Sequence, residues 1–312
     1  MHPAFSVIFF TVTSGLGYGL MMLLVFAHLT EFSGALTTND IMTAGVIALV
    51  SITAGLISST FHLANPKNAW RAMSRFRTSW LAREGLLAVM LYPFALAYLA
   101  AVYFELGQAM VMTFGIISAL ISLLTIYSTG MIYACLKTIR QWNTSLTPVN
   151  YIMIGLSLGA LMLVAILATT GSLSKNLVGY TADIVFAAAI FKLIYYVWIG
   201  KPAGPSINTA TGFTNDKVRL FDTGHTAGTF LTHEFGYQIK TCKPMNLRIF
   251  SLMFGFVIPA VLMGKMYYDA EPSAVLAYVS LIIAYLGVLL ERWLFFAEAK
   301  HVVNLYHGMQ RT

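Results

Sequence analysis

Hydrophobic residues in this chain gather in long runs instead of alternating with polar ones. Eight runs stand out, over residues 5–30, 41–62, 86–104, 108–134, 149–170, 178–199, 247–268 and 274–297. Each is long enough for a membrane-spanning helix, which needs about 20 mostly apolar residues. Breakers punctuate the pattern: Pro148 opens the fifth run, Pro244 precedes the seventh and Pro272 precedes the eighth. Pro93 and Pro259 lie inside runs, a position that membrane helices tolerate. The start, MHPAFSVIFF, lacks a basic leading region and continues into a full span, so no cleaved signal peptide is expected. The pattern predicts an all-α integral membrane protein with eight transmembrane helices, forming a single membrane domain over residues 1–312.

Composition sharpens this. Hydrophobic residues make up 58% of the chain and charged ones 10%, where a soluble domain carries about 25% charged residues. Mean hydropathy is +0.75. These values exclude a soluble globular enzyme, a disordered chain and a nucleic-acid-binding domain. Two cysteines, Cys135 and Cys242, are too few for an iron–sulfur cluster, which needs about four thiolates. Metal redox chemistry linked to this chain therefore belongs on another subunit. The sequence offers no metal site and no catalytic residue for substrate chemistry of its own.

Two connections are long, residues 62–85 and 200–246. An even number of spans puts both termini and both long connections on one face, side A. Sixteen of the 19 Lys and Arg residues fall there; Lys175 and Lys265 fall on side B, and Lys192 lies inside the sixth run. Basic residues are retained on the cytoplasmic side during insertion, so side A is expected to be cytoplasmic, with both termini inside. All five tryptophans (Trp70, Trp80, Trp142, Trp198, Trp293) also fall on or near side A. A lipid belt would place them at both interfaces, so their one-sidedness points to a docked protein.

Ionisable groups at membrane depth are costly unless paired or hydrated. His62 ends the second run, and Arg83 and Glu84 stand just before the third. Glu291, Arg292, Glu298 and His301 crowd the side A end of the eighth, with Glu291, Glu298 and His301 at spacings that share a helix face. Lys192 lies ~10 Å inside side A at 1.5 Å per residue. A quinone would use such a cluster. Its two oxygens need hydrogen-bond donors, its reduction needs protons, and its ring and tail need an apolar slot. Histidine suits the first task near neutral pH, and a carboxylate at the rim suits the second. Structural roles compete at each position. His62 can bond a backbone carbonyl, Glu84 can favour a helix N-terminus, and Glu291, Arg292 and Lys192 can pair with one another. Asp183 is expected to bond a neighbouring helix, and His28 to be structural. A bis-histidine haem needs two facing histidines at one depth. His28 has no such partner on side B, and His301 falls past its span, so no haem is expected.

Residues 62–85 resemble the membrane anchors of the dimethyl sulfoxide reductase family, within the wider group of polysulfide-reductase-type anchors. The matching features are His62-Leu63 followed by Pro66, Ala69-Trp70-Arg71-Ala72, Arg75, Ser79-Trp80-Leu81 and Arg83-Glu84-Gly85. The likeness continues in Lys217-Val218-Arg219-Leu220-Phe221 with His225-Thr226, in Phe230-Leu231-Thr232 with Glu234, and in Arg292-Trp293-Leu294-Phe295 with Ala297-Glu298-Ala299. The resemblance implies two four-helix bundles and a complex with two partners. One is a subunit with four [4Fe–4S] clusters, the other a molybdopterin catalytic subunit. It also implies a quinol site built from the residues matching His62 and Glu84, with no haem in the anchor.

One departure is informative. In dimethyl sulfoxide reductases the catalytic subunits face the periplasm, whereas the charge count here puts the histidine-motif face in the cytoplasm. That fits the sulfite-oxidising branch of the family. The expectation is an anchor in the bacterial inner membrane that passes electrons from sulfite oxidation to ubiquinone or menaquinone, enzymatic only as part of its complex. Trp70, Arg71, Arg75, Arg77, Trp80 and Arg219 would dock the iron–sulfur partner. Lys192, Glu291, Arg292, Glu298 and His301 would form a further quinone or proton path. The rivals are the anchor of an S-oxide or N-oxide reductase fed by quinol, a transporter, and a purely structural anchor.

Overall fold

The computed structural model describes residues 1–61, 63, 65–200, 204–213, 215–222, 224, 227–237, 239, 243–269 and 273–312. Among these every regular element is a helix, and eight helices are long and apolar enough to cross a membrane. They begin with α1 (Phe5–Thr30), α2 (Thr38–Thr60), α3 (Trp80–Tyr103), α4 (Gln108–Ala134), α5 (Leu146–Thr170) and α6 (Lys175–Ile199). Two short helices, α7 (Ile207–Thr211) and α8 (Phe230–Phe235), occupy the long connection. The seventh span is α9 (Pro244–Leu252), a π-helical turn (Met253–Val257) and α10 (Ile258–Tyr268); the eighth is α11 (Ala274–Ala297). Residues Pro66–Arg75 and Val302–His307 form 3₁₀ helices.

Several helices start about one to two turns before their apolar runs. For α2, α3 and α6 the reason is capping. Thr37 and Asp40 close a capping box on α2, while Ser79 and Ser174 accept from the Ala82 and Leu177 amides at the starts of α3 and α6. These polar first turns lie outside the apolar pattern but are helical because their free amides are satisfied. The π turn in the seventh span follows from Pro259, which removes a donor and crowds the carbonyl four residues back.

α1 and α5 form the centre: 67% of each apolar window is buried, against 28–39% for the other spans. α1 packs on α2, α4, α5 and α11, and α5 packs on α1, α4, α6 and α11. Glycines permit the central crossing. A Cβ on Gly19 would overlap the Gly155 carbonyl, and one on Gly159 would overlap the Gly19–Leu20 backbone. With Gly15 these residues form a small-x-x-x-small pattern on both helices, which lets two backbones touch.

The helix ends sort onto two faces. On side A the Met1 amino group donates to the carbonyls of Phe296 (3.2 Å) and Ala299 (2.9 Å), and Trp142 Nε1 donates to Phe295 O at 2.9 Å. On side B, His28 Nδ1 meets the Tyr98 hydroxyl at 2.8 Å, and Phe32 packs edge-on against Tyr180. Trp142 is 2% exposed and stacked on Phe295, so it is a core residue and not part of a docking belt.

Candidate functional site

His62 lies outside the described residues, as do His225, Thr226 and Cys242. The segment that follows it is described. The 3₁₀ helix Pro66–Arg75 exposes all its residues, because a short helix with basic and apolar side chains has nothing of its own to bury against. Trp70 is 66% exposed, with the Arg71 guanidinium 5.7 Å from its ring centre. Arg71, Arg75, Arg77 and Arg219 are exposed, and Trp80 is half-buried against Tyr127. Arg83 does not turn inward. It donates to the carbonyls of Phe76 (3.0 Å) and Arg77 (2.9 Å) and stacks 4.1 Å from the Trp80 ring centre. It thus ties the exposed segment to the start of α3.

Glu84, the next residue, faces the opposite way and is 5% exposed. The Thr129 hydroxyl lies 2.5 Å from Glu84 Oε1 and 3.0 Å from the Thr125 carbonyl. One hydroxyl proton serves one acceptor at a time. Thr129 can donate to an ionised Glu84, or turn to Thr125 and accept from a protonated one. The pair therefore supports either state of the carboxyl without stranding a polar atom. Ser118, Ser122, Thr125 and Thr129 are all buried on one face of α4.

One turn further along α4, Tyr133 stacks on Tyr151 of α5, with centroids 5.8 Å apart and planes 17° apart. The Arg292 guanidinium sits 3.7 Å from the Tyr151 ring centre. Its Nε lies 3.3 Å from Glu291 Oε2, and the other Glu291 oxygen forms an ion pair with Lys192. The Lys192 ammonium also faces the rings of Tyr195 (4.1 Å) and Tyr196 (4.6 Å). Lys192, Glu291 and Arg292 are 1%, 0% and 2% exposed. Three charges are thus held in the interior by each other and by aromatic faces, with a formal surplus of one positive charge. Tyr133 and Tyr151 lie within electrostatic reach of Glu84 on one side and Arg292 on the other. The result is a polar seam from Glu84 on α3, through Tyr133 and Tyr151, to the charged group on α6 and α11.

Glu298 is the C-cap of α11, two turns past Glu291 with its amide still bonded to the Leu294 carbonyl, whereas His301 lies beyond the helix. α11 ends at Ala297, and each residue finds its own partner. Arg248 Nε lies 2.9 and 3.2 Å from the two Glu298 oxygens. Burial pushes the Glu298 carboxyl above its ordinary range, and Arg248 pulls it back part of the way. Both residues line a cavity of about 490 Å³ on side A, together with Arg140, Gln141, Tyr237 and Lys300. His301 stacks on Phe235 at 4.6 Å, and its Nδ1 accepts from the Val303 amide. That bond needs a neutral Nδ1, and burial lowers the imidazole's proton affinity accordingly. Asp183 is exposed and has no bonded partner among the described residues, contrary to the expected helix–helix contact. Among the described residues no three His, Cys, Asp or Glu side chains gather as a metal site.

Thr129, Tyr133, Tyr151 and Arg248 were not foreseen. The hydroxyl spacing Ser118, Ser122, Thr125, Thr129 was the available signal, since it marks one polar stripe on an otherwise apolar helix. The family model described as DMSO reductase anchor subunit (DmsC) matches residues 1–297. The chain is 32% identical to a subunit of the sulfite dehydrogenase of Allochromatium vinosum, across 98% of this chain and 99% of that protein.

Proposed function

Since the chain belongs to the DMSO reductase anchor subunit family, we propose that it is the membrane-embedded, quinone-reducing subunit of a sulfite:quinone oxidoreductase. Anchor subunits of this kind work with an iron–sulfur subunit and a catalytic subunit, and the relative's name supports the sulfite branch. We infer that side A is cytoplasmic, in the inner membrane of a bacterium, and receives an iron–sulfur subunit with four [4Fe–4S] clusters beside a molybdopterin subunit. In this reading the spans form two four-helix bundles, α1–α4 and α5–α11, which meet along α1 and α5.

The observation that carries the proposal is Glu84. A carboxyl turned into the membrane interior, with a hydroxyl partner able to switch direction, suits a group that takes up and hands on a proton. Quinone is the substrate here, and its reduction to quinol consumes two electrons and two protons. Electrons come from the partner's clusters. Protons come from side A, and Glu84 passes them on while Thr129 keeps either form satisfied. His62 donates to a quinone oxygen. Phe61, Leu63 and Leu81 are exposed apolar side chains at the same membrane edge and suit the ring and tail. Lys192, Glu291 and Arg292 supply a fixed positive surplus at the far end of the seam.

The test is a pair of assays on membranes carrying the complex: sulfite-dependent quinone reduction, and sulfite oxidation with a soluble dye as acceptor. Leaving a quinone oxygen unsatisfied costs ~1–3 kcal/mol, so His62→Ala should slow quinone turnover by roughly 5- to 150-fold, at 1.4 kcal/mol per factor of ten. Glu84→Gln should also slow it, and dye-linked activity should survive in both. Equal losses in both assays would make these residues structural. Quinol-dependent S-oxide reduction with no sulfite activity would replace the sulfite reading by its reductase rival. A periplasm-active reporter fused after Thr312 should stay silent.

A further inference from the structure

At the side B end, α6 and α10 part around a groove of about 400 Å³. Tyr180 and Asp183 of α6 and Tyr267 and Tyr268 of α10 form its walls. Gly179 and Gly264 make the room. A Cβ on Gly179 would come within 3.2 Å of the Tyr267 ring, so glycine keeps the helices close and the groove unfilled.

Asp183 is eight residues into α6 but five past the start of its apolar run at residue 178, so it lies ~7 Å inside side B at 1.5 Å per residue. It is exposed, and among the described residues no cation lies within ion-pair distance of it. A bare carboxylate at that depth is costly and calls for a partner. Side chains on a helix lean toward its N-terminus, which for α6 is side B. The carboxylate therefore reaches back toward the level of Gly179, Tyr180 and Tyr267. Tyrosines at this level mark the membrane–water interface. Their exposures are 51% for Tyr180, 40% for Tyr267 and 85% for Tyr268, so a large part of each side chain is uncovered. Two of the rings are braced: Tyr267 meets Tyr268 edge-on at 5.3 Å, and Phe32 backs Tyr180 at 5.3 Å.

A carboxylate among uncovered aromatic side chains selects an organic cation. An interfacial groove facing the bilayer meets such a cation on lipid headgroups. Hydrogen bonding to the carboxylate also favours a headgroup that carries N–H donors. We propose that this groove binds the primary ammonium headgroup of a phosphatidylethanolamine from the side B leaflet. Asp183 accepts hydrogen bonds from the ammonium, and Tyr180, Tyr267 and Tyr268 offer it their ring faces. The assignment does not depend on the quinone reading, which concerns the other side of the membrane.

The test uses the purified full-length chain in maltoside micelles, titrated with phosphatidylethanolamine labelled on its acyl chain. A parallel titration uses phosphatidylglycerol with the same label. The chain should bind the ethanolamine lipid about tenfold more tightly, a difference of about 1.4 kcal/mol. Asp183→Asn should erase that preference, and Tyr267→Leu should weaken ethanolamine-lipid binding about threefold with the glycerol lipid unchanged. Should the Asp183 variant fold poorly, the Tyr267 variant must still show its selective loss. Equal affinity for both lipids, or an Asp183→Asn chain that binds as the parent does, overturns the proposal. Displacement by equimolar free ethanolamine would make the ligand a soluble amine and overturn the lipid assignment. Binding that disappears in the assembled complex would give the groove to a partner's lysine and overturn it equally.

Discussion

Glu291 offers a sharp test of how the interior charges are held. It is fully buried between Lys192 and Arg292, so the three residues carry a formal surplus of one positive charge. Glu291→Gln raises that surplus to two cations with no anion between them. Lys192→Met lowers it to zero and leaves the Glu291–Arg292 pair. The double variant restores a surplus of one, with Arg292 still over Tyr151. Removing one partner of a buried pair costs about 3–5 kcal/mol, because it leaves an uncompensated charge. At 1.4 kcal/mol per factor of ten, Glu291→Gln should raise the unfolding constant by two to more than three powers of ten. Lys192→Met should cost less. The double variant should recover at least ~1.5 kcal/mol relative to Glu291→Gln, since neighbours in one network couple by about 0.5–3 kcal/mol. The assay is reversible unfolding of the four chains in mixed micelles, followed by tryptophan fluorescence. If the two effects add to within ~0.5 kcal/mol, Lys192 does not hold Glu291, and the account of the network fails.

Reversing Arg71, Arg75 and Arg77 to glutamate should release the iron–sulfur subunit from membranes, measured by immunoblot of washed membranes; full retention would place the dock elsewhere. Gly19→Leu should prevent α1 from seating on α5, because even a Cβ there overlaps the Gly155 carbonyl. The readout is loss of folded chain on size-exclusion chromatography in detergent, and a normal elution profile would refute the close crossing. Glu298 has a raised proton affinity in the folded chain through burial. Its contribution to stability is therefore present below the ordinary carboxylate range and falls away as pH rises through the raised value. Glu298→Gln should flatten the pH dependence of the melting temperature across that interval, and an unchanged slope would assign the dependence to another group.

The spans were legible because a bilayer enforces about 20 apolar residues in a row, a signal that needs no partner to be read. Their starts were less so. Thr37, Ser79 and Ser174 add polar first turns that hydropathy alone rejects. The site divides in the same manner. Glu84, Lys192, Glu291 and Arg292 drew attention because a charge in an apolar run is conspicuous. Sequence could not say that Glu84 turns away from Arg83 or that Arg292 meets Tyr151, since those facts depend on which helices become neighbours. Tyr133 and Tyr151 are ordinary letters in two apolar runs, and they matter only because α4 and α5 bring their rings together. Trp142 shows the converse: its side A position suggested a surface, yet the connection before α5 folds it into the core.

The central crossing has a consequence for how the chain is made. α1 leaves the ribosome before α5, the partner whose backbone it touches at Gly19 and Gly155, and α5 ends about 140 residues later, between Thr30 and Thr170. At about 5–20 residues per second, α1 waits roughly 7–30 s before that partner is complete. During the wait its Gly15–Gly19 notch faces lipid tails or the insertion machinery. Glycine and serine cost little in that setting, whereas an unpaired charge would not be tolerated as well. Phe5–Thr30 contains no Asp, Glu, Lys or Arg, only His28 near its end. Among the described residues the ion pairs come later, from α6, α9 and the α11 end, after the neutral α1 and α5 have met. Order of synthesis and order of charge thus run in parallel: the segment that waits longest is the one that can wait without penalty.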